Sequence, residues 1–95
     1  MKVQFTDIAR QEYMDAIDYY NNQRDGLGYE FAIEIDEGIQ NIQLYVSAWQ
    51  QLSSKIRRYL IKRFPFGIIY SSTENSIIVL SIMNLHQKPK NWEKI

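Results

Sequence analysis

The chain has 95 residues, and its 11 basic side chains are balanced by 11 acidic ones. With one histidine and no cysteine, it lacks the ligands for a disulfide, a thiolate metal centre or a histidine-rich zinc site, so we expect no metal and no other cofactor. The length suits a single domain over 1–95, no apolar run reaches the ~20 residues of a membrane span, and "MKVQFTDIARQEY" lacks the apolar segment of a secretion signal. We therefore expect a cytoplasmic protein without membrane contact.

The first half of the chain predicts a short strand followed by two helices. "KVQF" has strand character, and Thr6 or Asp7 can cap the next helix because a side-chain oxygen accepts from the unpaired N–H groups of the first turn. Apolar residues then recur at helical spacing until "NNQRDGLG", which has the composition of a turn. A second apolar stripe runs from Leu27 to Val46. Two helices joined by a short loop predict an antiparallel hairpin.

The second half predicts three antiparallel strands. "KIRRYLIKRF" (55–64) is rich in β-branched, aromatic and long cationic residues, and "PFG" predicts a turn because Pro65 fixes φ and Gly67 tolerates unusual values. "IIYSS" is the return strand, and "SIIVLSIMNL" follows the turn "TEN" as a near-continuous apolar run, which is typical of a central strand. The predicted fold is α+β, in the order β-α-α-β-β-β, with the helical hairpin packed on one face of a small antiparallel sheet.

The predicted core lies between the hairpin and the sheet. Its members are Phe31, Ile35, Ile42, Leu60, Ile69, Val79 and Leu80. Alternate side chains of a strand share a face. In the last strand one face is therefore expected to hold Ile78, Leu80, Ile82, Asn84 and His86. Because this face becomes polar at its end, it suits a site at the edge of the sheet.

Charge is distributed unevenly along these elements. Residues 1–50 contain three cations and nine anions, whereas residues 51–95 contain eight cations and two anions. One interpretation is an anion-binding face in the second half. The other is that opposite charges attract the two halves across their rims.

The cations of the second half suggest chemistry on phosphate. Metal-independent RNA cleavage needs a base, an acid and donors to the phosphoryl oxygens, and a histidine of near-neutral pKa serves as either acid or base. The candidate catalytic residues are Arg58, Lys62, His86 and Lys88. The candidate nucleic-acid-binding residues are Arg57, Arg63 and Lys90. The alternative is that the histidine is a surface residue and the cations form a solvated face.

The end of the chain, "HQKPKNW", predicts a turn that packs back on the domain. Pro89 offers no N–H to a strand ladder and ends the pairing. Trp92 is expected to fold back because burying an indole is favourable. This arrangement would place His86 and Lys88 near the cations of the "KIRRYLIKRF" strand.

Four stretches of the chain resemble a known family: "A..EYMDAIDYY", "GLGYEF", "IRRYLIKRFPFGIIY" and "VLSIMNLHQKPKNW". Together they are similar, nearly end to end, to the RelE/ParE superfamily of toxins from type II toxin–antitoxin systems, which are also associated with plasmid stabilization. The resemblance implies a curved antiparallel sheet against a helical hairpin. It also implies growth inhibition as the function, and as partner a cognate antitoxin that is encoded nearby and wraps the toxin.

Two activities follow from the resemblance. RelE-like members are mRNA interferases that cleave mRNA in the ribosome, whereas ParE-like members inhibit DNA gyrase and are not nucleases. A third alternative is a remnant that binds the antitoxin but is no longer toxic. The sequence leaves all three open, and with them the ribosome and its mRNA or DNA gyrase as the target.

The resemblance assigns roles to a few residues. Basic residues of the family fall on Arg58, Lys62 and Lys88. Asn84 stands where many members carry a histidine, and His86 follows two residues later. Gln87 replaces a further basic residue.

Overall fold

The computed structural model describes residues 1–87 of the chain. Its elements, in chain order, are β1 (Lys2–Phe5), α1 (Asp7–Gln23), α2 (Leu27–Leu44), β2 (Gln50–Gln51), β3 (Arg57–Leu60), β4 (Phe66–Ser72) and β5 (Ser76–Asn84). The predicted α+β class and the helical hairpin on a sheet are confirmed. The two-residue strand β2 was not predicted, since two glutamines carry no apolar periodicity. In the described part of the chain, neither helix is long and apolar enough to cross a membrane.

The five strands form one sheet in the order β1-β5-β4-β3-β2. β5 runs parallel to β1, with Val3 beside Ile77, and antiparallel to β4. The interior position predicted for the last strand is therefore correct. The sequence did not indicate the parallel pairing, which the helical hairpin makes possible by carrying the chain from one end of the sheet to the other.

The two helices are fixed at their ends by local side-chain contacts. Thr6 caps α1: its Oγ1 accepts from the Ala9 N–H at 3.1 Å and its hydroxyl donates to the Leu80 carbonyl at 3.1 Å. α1 extends to Gln23, beyond the predicted start of the turn, and the chain reverses through Gly26, whose φ of +85° favours glycine. These contacts set the hairpin against β5.

The strand predicted over 55–64 was wrong in its length, because only Arg57–Leu60 pairs with β4. In residues 61–65, called here the β3–β4 loop, the Ile61 N–H still donates to the Phe66 carbonyl at 3.1 Å. The N–H groups of Lys62 and Arg63 donate instead to a carboxylate oxygen of Glu34 on α2. Ile61 and Phe64 of the loop are buried in the core. Phe66 and Gly67, predicted as part of a turn, belong to β4. Attachment of the loop to α2 therefore replaces the last pairings of the predicted strand.

The core between the helices and the sheet contains four of the seven predicted members: Phe31, Ile35, Ile42 and Val79. Phe31 is fully buried and lies 4.9–6.4 Å, between ring centroids, from four other aromatic rings. The prediction for Leu60 was wrong, since its side chain is 50% exposed. Ile69 and Leu80 are buried, but in a second cluster on the opposite face of the sheet.

A β-bulge in β5 explains why simple alternation misplaced Ile82. Ile69 pairs with Ser81 while its neighbour Tyr70 pairs with Val79, so Leu80 has no partner on β4. The extra residue changes which side chains face the helices. Ile82, predicted to share a face with Leu80, therefore joins Val79 in the helix-facing core.

Candidate functional site

The candidate residues within 1–87 belong to three segments of the chain. Arg57 and Arg58 belong to β3, Lys62 and Arg63 to the β3–β4 loop, and His86 follows the end of β5. Lys88, Lys90, Pro89 and Trp92 lie outside the described residues, as does their predicted placement.

Arg58 lies on the face of the sheet opposite the helices. Its Nη2 donates to Gln50 Oε1 at 2.6 Å, across the pairing of β2 with β3. The aliphatic part of the side chain covers Gly67, where an added Cβ would lie 3.3 Å from Arg58 Cδ. Its Nε is buried and has no hydrogen-bond partner among the described residues. A half-buried guanidinium held in this way keeps a positive charge at a fixed place on this face.

Arg57 points to the other face of the sheet from Arg58 and binds the segment that follows α2. Its Nη1 donates to the Trp49 carbonyl oxygen at 2.8 Å, and the Trp49 indole contacts the Tyr59 ring edge-on at 4.7 Å. Nearby, the Tyr70 hydroxyl donates to the Val46 carbonyl at 2.7 Å, and burial raises the pKa of Tyr70 against the opposing effect of the Arg57 charge. These contacts hold the segment after α2 against the sheet.

The β3–β4 loop is bound to acidic residues of α2. Arg63 Nη2 lies 2.8 Å from Glu30 Oε1, and Arg24 Nη2 lies 3.1 Å from Glu30 Oε2. The hydrogen bond from Arg63 is the main cause that lowers the pKa of Glu30, and the same contact raises the pKa of Arg63. The Arg63 guanidinium also lies over the Phe64 ring, 5.4 Å from its centroid. Lys62 is exposed and forms no ion pair within residues 1–87.

His86 lies at one end of a groove between α1 and β5. The groove has a volume of about 490 Å³, and its walls include Glu12, Asp15, Tyr19 and Asn84. Glu12 Oε1 accepts from Ser81 Oγ at 2.8 Å and from the Ile82 N–H at 3.1 Å, which orients the carboxylate. Among the described residues, no lysine or arginine lines the groove. The described part of its lining is therefore acidic and aromatic.

The structure places Arg58 and His86 apart, whereas the β3–β4 loop that contains Lys62 reaches the His86 groove through Pro65. Arg58 lies on the open face, Lys62 in the β3–β4 loop, and His86 beside the carboxylates of α1. Within residues 1–87 no cluster of cations surrounds the histidine. The catalytic and nucleic-acid-binding roles remain predictions.

Sequence reasoning missed the two carboxylates that contact the β3–β4 loop. Glu30 and Glu34 are four residues apart, so they lie on the same side of α2. Their spacing was visible in the sequence, but their facing toward the loop follows from the packing of α2 on β3 and β4.

A second, wider groove of about 830 Å³ runs along β1 and α1 and is lined by Val3, Phe5, Tyr13, Met14 and Ile78 among others.

Comparison with known proteins gives a match at the level of structure. No family model matches the chain, and no curated protein matches it. A solved structure described as the chromosomal ParDE TA system from P. aeruginosa contains a chain with the same fold, at a TM-score of 0.78 and 18% sequence identity. The match covers 90% of this chain and 97% of that one. The similarity in fold therefore spans most of this chain and nearly all of the other.

Proposed function

We propose that this protein is the toxin of a toxin–antitoxin pair and that it acts, like ParE, by binding a protein target. The supporting observation is the fold match to a chain of a ParDE TA system over nearly the full length of both chains. The sequence resemblance to the RelE/ParE superfamily, made from separate motifs, points to the same class.

The cognate antitoxin is the proposed partner, a small protein encoded nearby. β1 lies at the edge of the sheet, so its outer side offers backbone groups to an added strand. The groove beside it contains apolar side chains, including the exposed Met14. A segment of the antitoxin that supplies a strand or an amphipathic helix suits this surface.

DNA gyrase is the target that the ParE resemblance implies, and the surroundings of His86 support a protein target over RNA. A phosphodiester next to His86 would approach Asp15 in the same groove. Carboxylates close to a phosphate repel it, by an amount that grows as water is excluded. Of the described cations near the loop, Arg24 and Arg63 are already paired with Glu30 of α2.

A second candidate is a metal-independent endoribonuclease that acts on mRNA in the ribosome. The observation in its favour is Arg58, whose guanidinium is fixed on the open face of the sheet with Nε buried and unpaired within the described part. Such a donor suits a phosphoryl oxygen. Lys88 and Lys90 are the further cations that this candidate requires.

One pair of assays separates the two candidates. Purified protein is added to a DNA gyrase supercoiling reaction, and message from induced cells is mapped for new 5′ ends by primer extension. We expect loss of supercoiling and no new 5′ ends. New ends with unimpaired supercoiling would overturn the gyrase proposal in favour of the nuclease.

The variant His86→Ala sharpens the same comparison. Its side chain is exposed, so folding should be retained within about 0.5 kcal/mol. If the protein acts by binding gyrase without proton transfer, His86→Ala should arrest growth as wild type does. Arg58→Ala is the matched variant, since the nuclease candidate requires both residues. Loss of toxicity in both variants, with folding intact, would contradict the binding mechanism.

A further inference from the structure

The β3–β4 loop presents two consecutive backbone N–H groups to one oxygen atom. Glu34 Oε1 accepts from the N–H of Lys62 at 3.3 Å and from the N–H of Arg63 at 3.2 Å. Successive N–H groups that converge in this way form a concavity that binds anions. In this structure the anion is a side chain of the same protein.

The Arg63 guanidinium of the β3–β4 loop is also bound to a residue of α2. The Arg63 guanidinium lies 2.8 Å from Glu30, which in turn binds Arg24 at 3.1 Å. The lowered pKa of Glu30 is consistent with a carboxylate that stays charged at this position. One side of α2 thus supplies both carboxylates, and two loop amides and the guanidinium groups of Arg63 and Arg24 face them.

We infer that Glu30 and Glu34 occupy the position that a phosphodiester would take and so keep nucleic acid off the β3–β4 loop. Three cationic residues contact these two carboxylates, Arg24 and Arg63 through their guanidinium groups and Lys62 through its backbone N–H. Without the carboxylate charges, the loop is a cationic surface with two amides directed outward. The inference goes beyond the proposed toxin function, because it concerns the affinity of the purified protein for phosphodiesters whatever its cellular target.

The double variant Glu30→Gln/Glu34→Gln tests this directly. Glutamine keeps an acceptor oxygen for the amides of the loop, so the fold is retained while two negative charges are removed. Binding of a short fluorescein-labelled oligouridylate is followed by fluorescence anisotropy at low salt. We expect affinity about tenfold higher than that of wild type, with a steeper fall as salt is added, because the released cations contact phosphates.

A matched control removes the same formal charge elsewhere. Asp7 is in the first turn of α1, and Glu74 is in the turn between β4 and β5, away from the loop. Asp7→Asn/Glu74→Gln should raise the affinity less than about threefold. Adding Arg63→Gln to the Glu30→Gln/Glu34→Gln variant should remove most of the gain.

Two results overturn the inference. One is an equal gain in the control variant, which would assign the effect to net charge. The other is a Glu30→Gln/Glu34→Gln variant that binds no more tightly than wild type. Circular dichroism checks the fold of each protein. If the double variant unfolds, Glu34→Gln alone provides the same comparison, with an expected gain of about threefold and no gain as the contrary result.

Discussion

The two faces of the sheet are both apolar, yet they are built differently. The helix-facing side meets α1 and α2, and its core is large and aromatic, with Phe31 among the rings of Tyr13, Tyr20, Phe64 and Phe66. The opposite face carries a smaller cluster within the described residues. That cluster consists of Ile69 and Leu80 with Ile56, Ile78 and Met83 packed against them.

The difference shows how stability and recognition are divided in this small fold. The helix-facing side has a second layer of large side chains, which supplies most of the apolar burial. The opposite side carries a fixed cation, Arg58, and the half-exposed Leu60 beside its apolar cluster. Substitutions on the first side should act mainly on folding, and those of the exposed residues on the second side mainly on contacts with other molecules.

The largest effect is expected from Phe31→Ala. Removing a fully buried ring that contacts four other rings should lower the free energy of unfolding by about 3–5 kcal/mol. Chemical denaturation monitored by circular dichroism measures the change. The control is Ile33→Ala in the same helix, whose side chain is 40% exposed and whose loss should be below about 1 kcal/mol. Similar losses in both variants would contradict the assigned core.

The opposite face should give a smaller but clear effect. Leu80→Ala removes a buried side chain at the bulge and should lower the free energy of unfolding by about 2–3 kcal/mol. Leu60→Ala, at a side chain that is 50% exposed, should stay within about 0.5 kcal/mol of wild type. Urea denaturation of both variants tests the bulge register, and equal losses would show that the assignment of these two residues is wrong.

The residues on the two faces of the sheet also show how much of the fold the sequence was able to predict. The helical stripe around Phe31 and Ile35 has a strong period, so the hairpin and its core were found. Alternation predicted Ile82 on the face of Leu80, and nothing in the sequence marks the extra residue in β5 that moves Ile82 to the helix-facing core. The bulge arises from pairing β4 with β5, which is a non-local property.

The candidate site was predicted less well for a related reason. The sequence identified the cations of the second half, but not which acidic residues they meet. Arg63 and Glu30 are distant in sequence and form an ion pair because α2 packs over the β3–β4 loop. This ion pair agrees with the second interpretation of the uneven charge distribution, in which opposite charges attract the two halves of the chain. The part of the site predicted for Lys88 and Lys90 lies beyond the described residues.

Two glycines, one packed in the helix-facing core and one on the opposite face of the sheet, allow the same comparison for added side-chain atoms. A Cβ on Gly38 of α2 would lie 2.9 Å from Ile68 Cδ1 and from Tyr59 Cε1 in the core. Gly38→Ala should therefore cost about 1–2 kcal/mol, in spite of the better helix propensity of alanine. Gly67→Ala, on the opposite face, meets only the flexible side chains of Arg58 and Leu60 at 3.3–3.5 Å. Thermal unfolding should show it to be the milder change, and the reverse order would contradict the packing described.

The smallest effect is expected from the ion pair between Glu30 of α2 and Arg63 of the β3–β4 loop. The pKa of Glu30 is lowered in the folded protein, chiefly by the hydrogen bond from Arg63, so the charged form favours folding. This contribution is present above the ordinary glutamate pKa of 4.5 and is lost as pH falls through the lower folded value. The stability difference between wild type and Glu30→Gln should therefore shrink as the pH is lowered through this range. A difference that stays constant with pH would show that the pair does not stabilise the fold.

The central claim is that this protein arrests growth until a partner binds it, and growth under controlled expression tests that claim most directly. The chain is induced alone and then together with the small protein encoded by the adjacent gene, with the amount of folded toxin measured in both cultures. The account predicts arrest in the first culture and normal growth in the second, with the two proteins recovered as a complex. Normal growth of cells that contain the folded chain alone would contradict it and would favour a non-toxic remnant.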